Sequence, residues 1–224
     1  LPLTLLAIKE YADDDTLKVF MPKISDEIPD IDDILLAKMQ KAIAIIQFKL
    51  ENCIIKRNPQ YDMSDRMLID KVDYKTYTIE VDGEIYPLNT KFFPTIDPEN
   101  PELLNEDEKK VIASLMNSFM LSDKLQRHIN FLLLKGSMYN VYNNNMLLHA
   151  CIPINEDLSF CEIAVNGSSY KGKELLDVLD EKIRHSYYQD EMSKDIFWFL
   201  WCAPNSPLFG KDKMATFERY FIDD

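Results

Sequence analysis

The feature that most constrains the fold is a helical repeat of apolar residues between Ile31 and Glu51. Apolar side chains recur in this segment at steps of three and four residues, and the alanines between them add helix propensity. The repeat consists of Leu35, Met39, Ile43, Ile46 and Leu50. Because this spacing places apolar side chains on one face of a helix, we predict a long, buried, amphipathic helix.

Further helices are predicted on either side of this one. A short helix is expected around Pro2 to Tyr11, and the segment from Asp13 to Asp33, in which acidic residues mix with prolines, reads as a solvated linker. Asn105 with Glu108 three residues later predicts a capping box at the start of a helix over 106–120. These segments make the first part of the chain mostly helical.

The next helix is expected to begin at Ser122 and to end at Gly136, which would adopt a left-handed cap. Before it, the β-formers from Tyr74 to Leu88 surround Asp82-Gly83, a pair typical of a type I′ hairpin turn. We therefore predict a short β-hairpin within residues 1–135, which otherwise form a helix-rich insertion.

The pattern changes after Gly136, where strand-like runs replace helical ones. Strands are predicted at 137–142 and 146–152, joined by three asparagines that tolerate left-handed turns, and a third at 160–165. Helices are expected at 173–188 and 193–201. We predict an α+β fold, with a helical insertion over residues 1–135 and a strand-containing domain over 136–224.

The composition excludes several classes of protein. The formal net charge of -13 disfavours binding to nucleic acid, and no apolar run is long enough to span a membrane. The four cysteines are far apart and show no metal-binding or disulfide spacing. We therefore expect a cytoplasmic protein with reduced thiols, whose abrupt stop at Asp224 suggests truncation.

Three histidines are candidates for chemistry. His128 lies within a predicted helix and is expected to be a surface or half-buried residue. His185 lies near a helix end, where it can interact with exposed carbonyl groups. His149 closes an apolar run at the end of a predicted strand, where functional sites often gather. From the residues alone, His149 is either a hydrogen-bonded core residue or a metal ligand.

A second candidate is the cationic segment that contains Lys211, Lys213 and Arg219. Arginine can bind a phosphate through two parallel hydrogen bonds, and lysine can bind it as a point charge. The pattern favours either a solvated charged turn or a phosphate-binding loop, and the residues alone do not decide between them.

Several collinear blocks resemble the class III bacterial fructose-1,6-bisphosphatases found in Firmicutes and Bacteroidetes. The blocks cover nearly the whole chain and are Ala42 to Glu51, Ile54 to Arg57, Arg127 to Phe131, Lys135 to Tyr139, Leu147 to Pro153, Glu174 to Val178, Leu208 to Lys211 and Thr216 to Phe221. This family is similar to calcineurin-type metallophosphatases. In these enzymes two metal ions hold a bridging water that attacks phosphorus.

The resemblance implies that His149 is a ligand of the second metal, with Ala150 replacing the glycine of the superfamily's His-Gly pair. It also implies manganese as cofactor and fructose 1,6-bisphosphate as substrate. Because a bisphosphate must be held by a chain that is acidic overall, we expect at least one of Lys211, Lys213 and Arg219 to bind a substrate phosphate. The other superfamily signatures are absent, since every glycine here is followed by Glu, Ser or Lys. We therefore expect an internal piece of a gluconeogenic phosphatase, with part of its β-core, that is inactive alone.

Two other functions stay open on the sequence. One is a non-catalytic helical module for interaction or regulation, and the other is a related metallophosphatase that acts on a different phosphoester. Homo-oligomerisation also stays open.

Overall fold

The computed structural model describes residues 1–23, 32–165, 167–189 and 192–223, which fold as two compact units. Unit 1 comprises Leu1–Pro59, Met63–Phe119 and Ala215–Asp224, and unit 2 comprises Gln60–Asp62 and Met120–Met214. Helices and small antiparallel sheets confirm the α+β class. The proposed domain division after residue 135 stays a prediction.

The described chain contains helices and strands with the following bounds. The helices are α1 (Pro2–Glu10), α2 (Asp33–Arg57), α3 (Leu68–Lys71), α4 (Glu106–Met120), α5 (Asp123–Lys135), α6 (Gly172–Ser186), α7 (Asp195–Cys202) and α8 (Thr216–Phe221). The strands are β1 (Val72–Asp73), β2 (Thr78–Val81), β3 (Glu84–Pro87), β4 (Tyr139–Tyr142), β5 (Asn145–Leu148), β6 (Ile163–Val165) and β7 (Ser168–Tyr170). None of the described helices is both long and apolar enough to cross a bilayer.

The predicted long helix is confirmed as α2, which runs six residues beyond the predicted end, to Arg57. It begins after Asp32, whose carboxylate accepts hydrogen bonds from the backbone N–H groups of Ile34 and Leu35. Of the predicted apolar repeat only Ile46 is fully buried, and its other four members are half-buried. The buried face contains alanine, isoleucine and phenylalanine, but also two fully buried lysines, Lys41 and Lys49. Apolar periodicity alone could not identify these lysines as core residues.

Lys49 is paired inside unit 1 with Glu108, at 2.8 Å between Nζ and Oε2. The Lys49 ammonium also donates to the carbonyl oxygens of Thr95 and Leu103. Glu108 belongs to the predicted capping box, which is confirmed by reciprocal 2.8 Å bonds with Asn105. One carboxylate therefore caps α4 and neutralises a buried cation, a pairing that a buried charge requires.

Lys41 is paired with Asp14 at 2.7 Å, and its ammonium also donates to the hydroxyls of Thr16 and Thr90. Burial lowers the pKa of Lys41, and the hydrogen bond with Asp14 opposes that shift. The prediction that Asp13 to Asp33 form a solvated linker is wrong for its first part, because Asp14, Leu17 and Phe20 are buried. Residues 24–31 of this segment lie outside the described residues.

The hairpin predicted around Asp82-Gly83 is confirmed in unit 1. Asp82 and Gly83 have φ angles of 54° and 83°, which join β2 to β3 through the expected left-handed turn. A third strand, β1, pairs with β2, and Ile79 of β2 faces the core. The core also holds an aromatic cluster in which Phe48 contacts Phe217 and Phe221 of α8.

In unit 2 the helix predicted to start at Ser122 is α5, and the Ser122 hydroxyl accepts from the N–H of Leu125. The prediction of a left-handed cap at Gly136 is wrong, because its φ is -73° and its backbone is extended. A Cβ at Gly136 would lie 2.5 Å from the carbonyl oxygen of Leu132. Glycine is therefore suited to this position by close backbone approach and not by handedness.

The predicted β-hairpin of unit 2 is formed by β4 and β5, joined by Asn143 and Asn144 with φ angles of 48° and 62°. Strand β5 ends at Leu148, so it is shorter than the predicted 146–152. Strands β6 and β7 form a second hairpin, and α6 contributes buried leucines to the core of this unit. The helices predicted at 173–188 and 193–201 correspond to α6 and α7.

Candidate functional site

His149 follows the last residue of β5, so the hairpin delivers its ring to the end of a strand. Leu148, the residue before it, is paired with Tyr139 in the antiparallel register. His149 is exposed, and its ring has no hydrogen-bond partner among the described residues. In the described chain His149 is therefore neither buried nor hydrogen-bonded through its ring.

A loop over 206–210 packs against the residues that follow His149. The Cys151 N–H donates to the carbonyl oxygen of Pro207 at 3.2 Å, and the Cys151 Sγ lies 3.9 Å from the carbonyl oxygen of Ser206. Ser206 is itself fixed, since its hydroxyl donates to the carbonyl oxygen of Leu200 at 2.6 Å. Segments that are far apart in the sequence therefore meet beside His149.

Gly210 makes the closest approach in this contact. Its φ is 60°, and a Cβ built on it would lie 3.1 Å from the Cβ of Ala150. Only glycine combines this left-handed backbone with so close a neighbour at low cost. Because Lys211 follows Gly210 and His149 precedes Ala150, the contact brings two residues predicted to be functional to the same region of unit 2.

The predicted phosphate-binding residues are divided between the units. Lys211 and Lys213 are exposed residues of unit 2, and the Lys211 ammonium lies 6.0 Å from the centroid of the Phe209 ring. Arg219 is an exposed residue of unit 1, on α8. The adjacent Glu218 binds Arg66 through two hydrogen bonds of 2.7 and 3.0 Å, which helps to hold α8 in place.

Helix α6 fixes the entry to the β4–β5 hairpin. The Asp180 carboxylate accepts from the Met138 N–H at 3.0 Å and from Arg184 at 2.9 Å. The Arg184 guanidinium also donates to the carbonyl oxygens of Leu133 and Gly136, at the end of α5. These bonds connect α5, α6 and the residue that leads into the β4–β5 hairpin, which His149 follows.

A second contact from α6 reaches the hairpin through Asp177. Its carboxylate accepts hydrogen bonds of 2.7 Å from Tyr139 and Lys173, and the Lys173 bond is the main cause that lowers the pKa of Asp177. Asp177 therefore stays ionised at neutral pH and keeps accepting from Tyr139. Sequence reasoning missed these positioning residues, although the four-residue spacing of Asp180 and Arg184 on a helix was a usable signal.

The donor set does not form a complete metal centre within the described residues. No group of three or more His, Cys, Asp or Glu side chains in the described part of the chain is arranged to hold a metal ion. His149 offers one imidazole, whereas a dinuclear centre needs several ligands around each ion. The role of His149 as a metal ligand and the phosphate-binding roles of Lys211, Lys213 and Arg219 stay predictions.

The other two histidines are also exposed. His128 lies on α5, as expected of a surface helix residue, and the Nδ1 atom of His185 lies 2.9 Å from the carbonyl oxygen of Glu181. The contact of His185 lies in the last turn of α6, where an interaction with helix carbonyls was expected. The Glu181 carboxylate lies 3.9 Å from the His185 ring, but neither histidine belongs to a group of three or more candidate ligands among the described residues.

Comparisons with known proteins extend over the whole chain. The family described as Firmicute fructose-1,6-bisphosphatase matches residues 1–224. The chain is 49% identical over 231 residues to the class 3 fructose-1,6-bisphosphatase of Clostridium novyi (strain NT), and the match covers all of this chain and 35% of that protein. The class 3 enzymes of Clostridium botulinum (strain Loch Maree) and Clostridium acetobutylicum are 50% and 49% identical, also over the full chain, with 34% and 35% of their lengths covered.

The chain thus spans about a third of the length of these curated relatives. No solved structure matches it. The family match over every residue and the identity near one half agree with the resemblance seen in the sequence blocks. The chain belongs to the Firmicute fructose-1,6-bisphosphatase family.

Proposed function

We propose that this chain is part of a class 3 fructose-1,6-bisphosphatase that removes the 1-phosphate of fructose 1,6-bisphosphate during gluconeogenesis in the cytoplasm. The observation that carries the proposal is the family match over residues 1–224. The free state of all four cysteines is compatible with a reducing compartment.

Within that enzyme, the exposed His149 would provide one ligand to a dinuclear manganese centre. The remaining ligands would come from polypeptide outside this chain, since the described residues form no such centre. When bound, the metal pair would supply an activated water and neutralise charge on the phosphoryl group. The contributions of this chain are the hairpin that holds His149 in place and the 206–210 loop that brings Lys211 towards it.

At least one of Lys211, Lys213 and Arg219 would bind a substrate phosphate. Fructose 1,6-bisphosphate is strongly anionic, whereas this chain carries a formal net charge of -13, so binding requires a local group of cations. All three side chains are exposed, as a binding role requires. The guanidinium of Arg219 is suited to a two-bond contact, and the lysine ammoniums act as mobile charges.

The test is an assay of phosphate release from fructose 1,6-bisphosphate by the full-length polypeptide, with manganese and after chelation. We expect turnover in the range of about 1 to 1,000 per second with metal, little after chelation, and none from the 224-residue chain alone. His149→Ala should reduce kcat by about 100-fold or more, and it should weaken manganese binding in a calorimetric titration.

His128→Ala is the matched control, because His128 is also exposed in unit 2 but does not end a strand. It should leave both activity and manganese affinity within about twofold of the parent. A full-length protein that prefers another phosphoester would refute the proposed substrate. A His149→Ala variant with unchanged manganese affinity would refute the ligand assignment.

A further inference from the structure

One edge of the β1–β2–β3 sheet in unit 1 is open along β3. Strand β3 pairs with β2 on one side, and within the described residues none of the strands pairs with its other side. An unpaired edge presents a row of backbone N–H and C=O groups, which a further strand can bind. The β3 edge is therefore a candidate docking site for an extended segment of polypeptide.

The direction of the backbone groups along β3 follows from two hydrogen bonds. The Leu88 N–H donates to the carbonyl oxygen of Tyr77 at 2.9 Å, so Leu88 faces β2. The next residue, Asn89, donates in the opposite direction, to the carbonyl oxygen of Phe221 at 2.9 Å. Because the direction alternates along a strand, the N–H and C=O groups of Ile85 also point to the open edge.

The chain already begins to pair with this edge where it leaves α8. Ile222 forms an isolated antiparallel bridge with Leu88, and its φ and ψ angles of -114° and 131° are those of a strand. Asn89 also holds the end of the helix, since its side-chain amide donates to the carbonyl oxygen of Tyr220 at 3.1 Å. The last carbonyl groups of a helix lack partners within it. These contacts turn the chain from α8 into an extended segment that runs antiparallel to β3.

We infer that the polypeptide that follows Asp223 in the full-length phosphatase forms a fourth strand on the open edge of β3. This inference rests on the proposed function, in which the chain is part of a longer enzyme, and the match covers only 34–35% of the relatives' lengths. The bridge between Ile222 and Leu88 fixes the register, because each step forward from Ile222 is one step back along β3. The first residue after Asp224 would then lie opposite Ile85 and exchange two backbone hydrogen bonds with it.

The residues of β3 are suited to this neighbour. Ile85 is 73% exposed and lies opposite Glu80 on the outer face, so its side chain has room for contact with a residue of a further strand. Pro87 lacks an N–H, but its carbonyl group points to the open edge and can accept a hydrogen bond. The edge therefore offers an acceptor at Pro87 and both a donor and an acceptor at Ile85.

A second copy of this chain fits the edge less well. A two-fold dimer would pair β3 with the same strand of the other copy. The end of α8 already occupies the edge beside Leu88 and Asn89, which leaves only 84–87 for that contact. Strands typically have about 5–6 residues, so this stretch is short for a stable dimer. A continuation of the same chain instead extends a pairing that has already begun.

The proposed strand would also restrain α8, the helix that carries Arg219. The Glu218–Arg66 pair holds one side of this short helix, and Asn89 bonds its last turn. A strand that starts where α8 ends would fix its C-terminus as well. The orientation of Arg219 would then depend on residues beyond Asp223.

The test is hydrogen exchange at single backbone amides, measured in the full-length polypeptide and in the 224-residue chain. The Tyr86 amide is the internal control, because it faces β2 in both proteins. In the 224-residue chain the protection factor of Ile85 should be at least about 10-fold below that of Tyr86, because the residue opposite Ile85 is absent. In the full-length protein the two protection factors should agree within about threefold.

Two proline variants of the full-length protein test the register without the short chain. A proline at the first position after Asp224 removes the N–H that would bond to Ile85. A proline at the second position, the matched control, removes an N–H that would point away from β3. The first should lower the protection factor of the Ile85 amide by about 10-fold or more, and the control should lower it by less than about threefold.

Fast exchange at Ile85 in the full-length protein would refute the inference, and so would equal effects of the two prolines. Protection of Ile85 that is lost on dilution, as a dimer dissociates, would refute it in favour of a second copy. Exchange is measured without metal or substrate, so a failure of the proposed phosphatase activity would be seen separately, in the phosphate-release assay.

Discussion

The contact between Gly210 and Ala150 allows a quantitative prediction for Gly210→Ala. A β-carbon at Gly210 would meet two separate costs, a left-handed backbone with φ of 60° and a carbon atom 3.1 Å away in Ala150. The left-handed backbone costs an alanine about 1–2 kcal/mol. Carbon atoms prefer a separation of about 3.5–4.0 Å, and relieving such overpacking typically costs about 1–3 kcal/mol. The expected total is about 2–5 kcal/mol.

Gly167→Ala separates the two costs. Gly167 also has a positive φ, of 81°, but a Cβ built on it meets no described atom within 4 Å. Gly167→Ala should therefore lower the free energy of unfolding by only about 1–2 kcal/mol. In the double variant Ala150→Gly, Gly210→Ala, the close neighbour is removed while the backbone strain remains. Once the effect of Ala150→Gly alone is subtracted, this variant should recover about 1–3 kcal/mol of the free energy of unfolding that Gly210→Ala loses.

The assay is urea unfolding of the four proteins, analysed as a double-mutant cycle, with phosphate release measured for the same variants in the full-length enzyme. If the contact positions Lys211 beside His149, Gly210→Ala should raise KM or lower kcat, and the second substitution should restore part of the loss. A coupling energy near zero between positions 150 and 210 would refute the reasoning. Equal losses of unfolding free energy for Gly210→Ala and Gly167→Ala would also refute it, since backbone strain alone would then explain both.

Further predictions concern charged side chains. Lys49→Met should destabilise the chain by about 3–5 kcal/mol in urea unfolding, because it leaves a buried carboxylate without its cation. The control Lys109→Met breaks an exposed ion pair and should leave the unfolding midpoint unchanged. In the full-length enzyme, Arg219→Ala should raise KM with little change in kcat if Arg219 binds the unreactive phosphate, and should lower kcat by about 100-fold if it binds the reacting one. Lys211→Ala and Lys213→Ala should raise KM. If all three alanine variants keep kcat and KM within about twofold of the parent, the cationic segment from Lys211 to Arg219 is only a solvated turn.

Local patterns predicted the parts of the fold that local forces determine. The capping box of Asn105 and Glu108, the turn at Asp82-Gly83 and the asparagine turn after β4 depend on neighbours within a few residues. The same is true of α2, whose apolar repeat lies within the helix itself. In each case the residues that determine the conformation are also those that form the pattern.

Long-range pairing explains what the sequence did not reveal. Asp14 was assigned to a solvated linker because its neighbours are acidic, yet it is buried through its bond to Lys41. The proximity of Gly210 to Ala150 likewise depends on how a distant loop packs, and no local pattern encodes it. For His149 the strand end was predictable but the exposure was not, and its role as a metal ligand stays a prediction.

The discontinuous path of unit 1 has a consequence for the order in which the chain folds during synthesis. Its aromatic core contains Phe48 from α2, but also Phe217 and Phe221 from α8, and Ala215–Asp224 belongs to the same unit. The ribosome makes all of Met120–Met214 before α8 emerges. Until then Phe48 lacks contact with the rings of Phe217 and Phe221, and the core of unit 1 is incomplete. Unit 1 can therefore complete its aromatic core only after most of unit 2 has been synthesised, and Phe48 lacks two of its ring partners until α8 arrives.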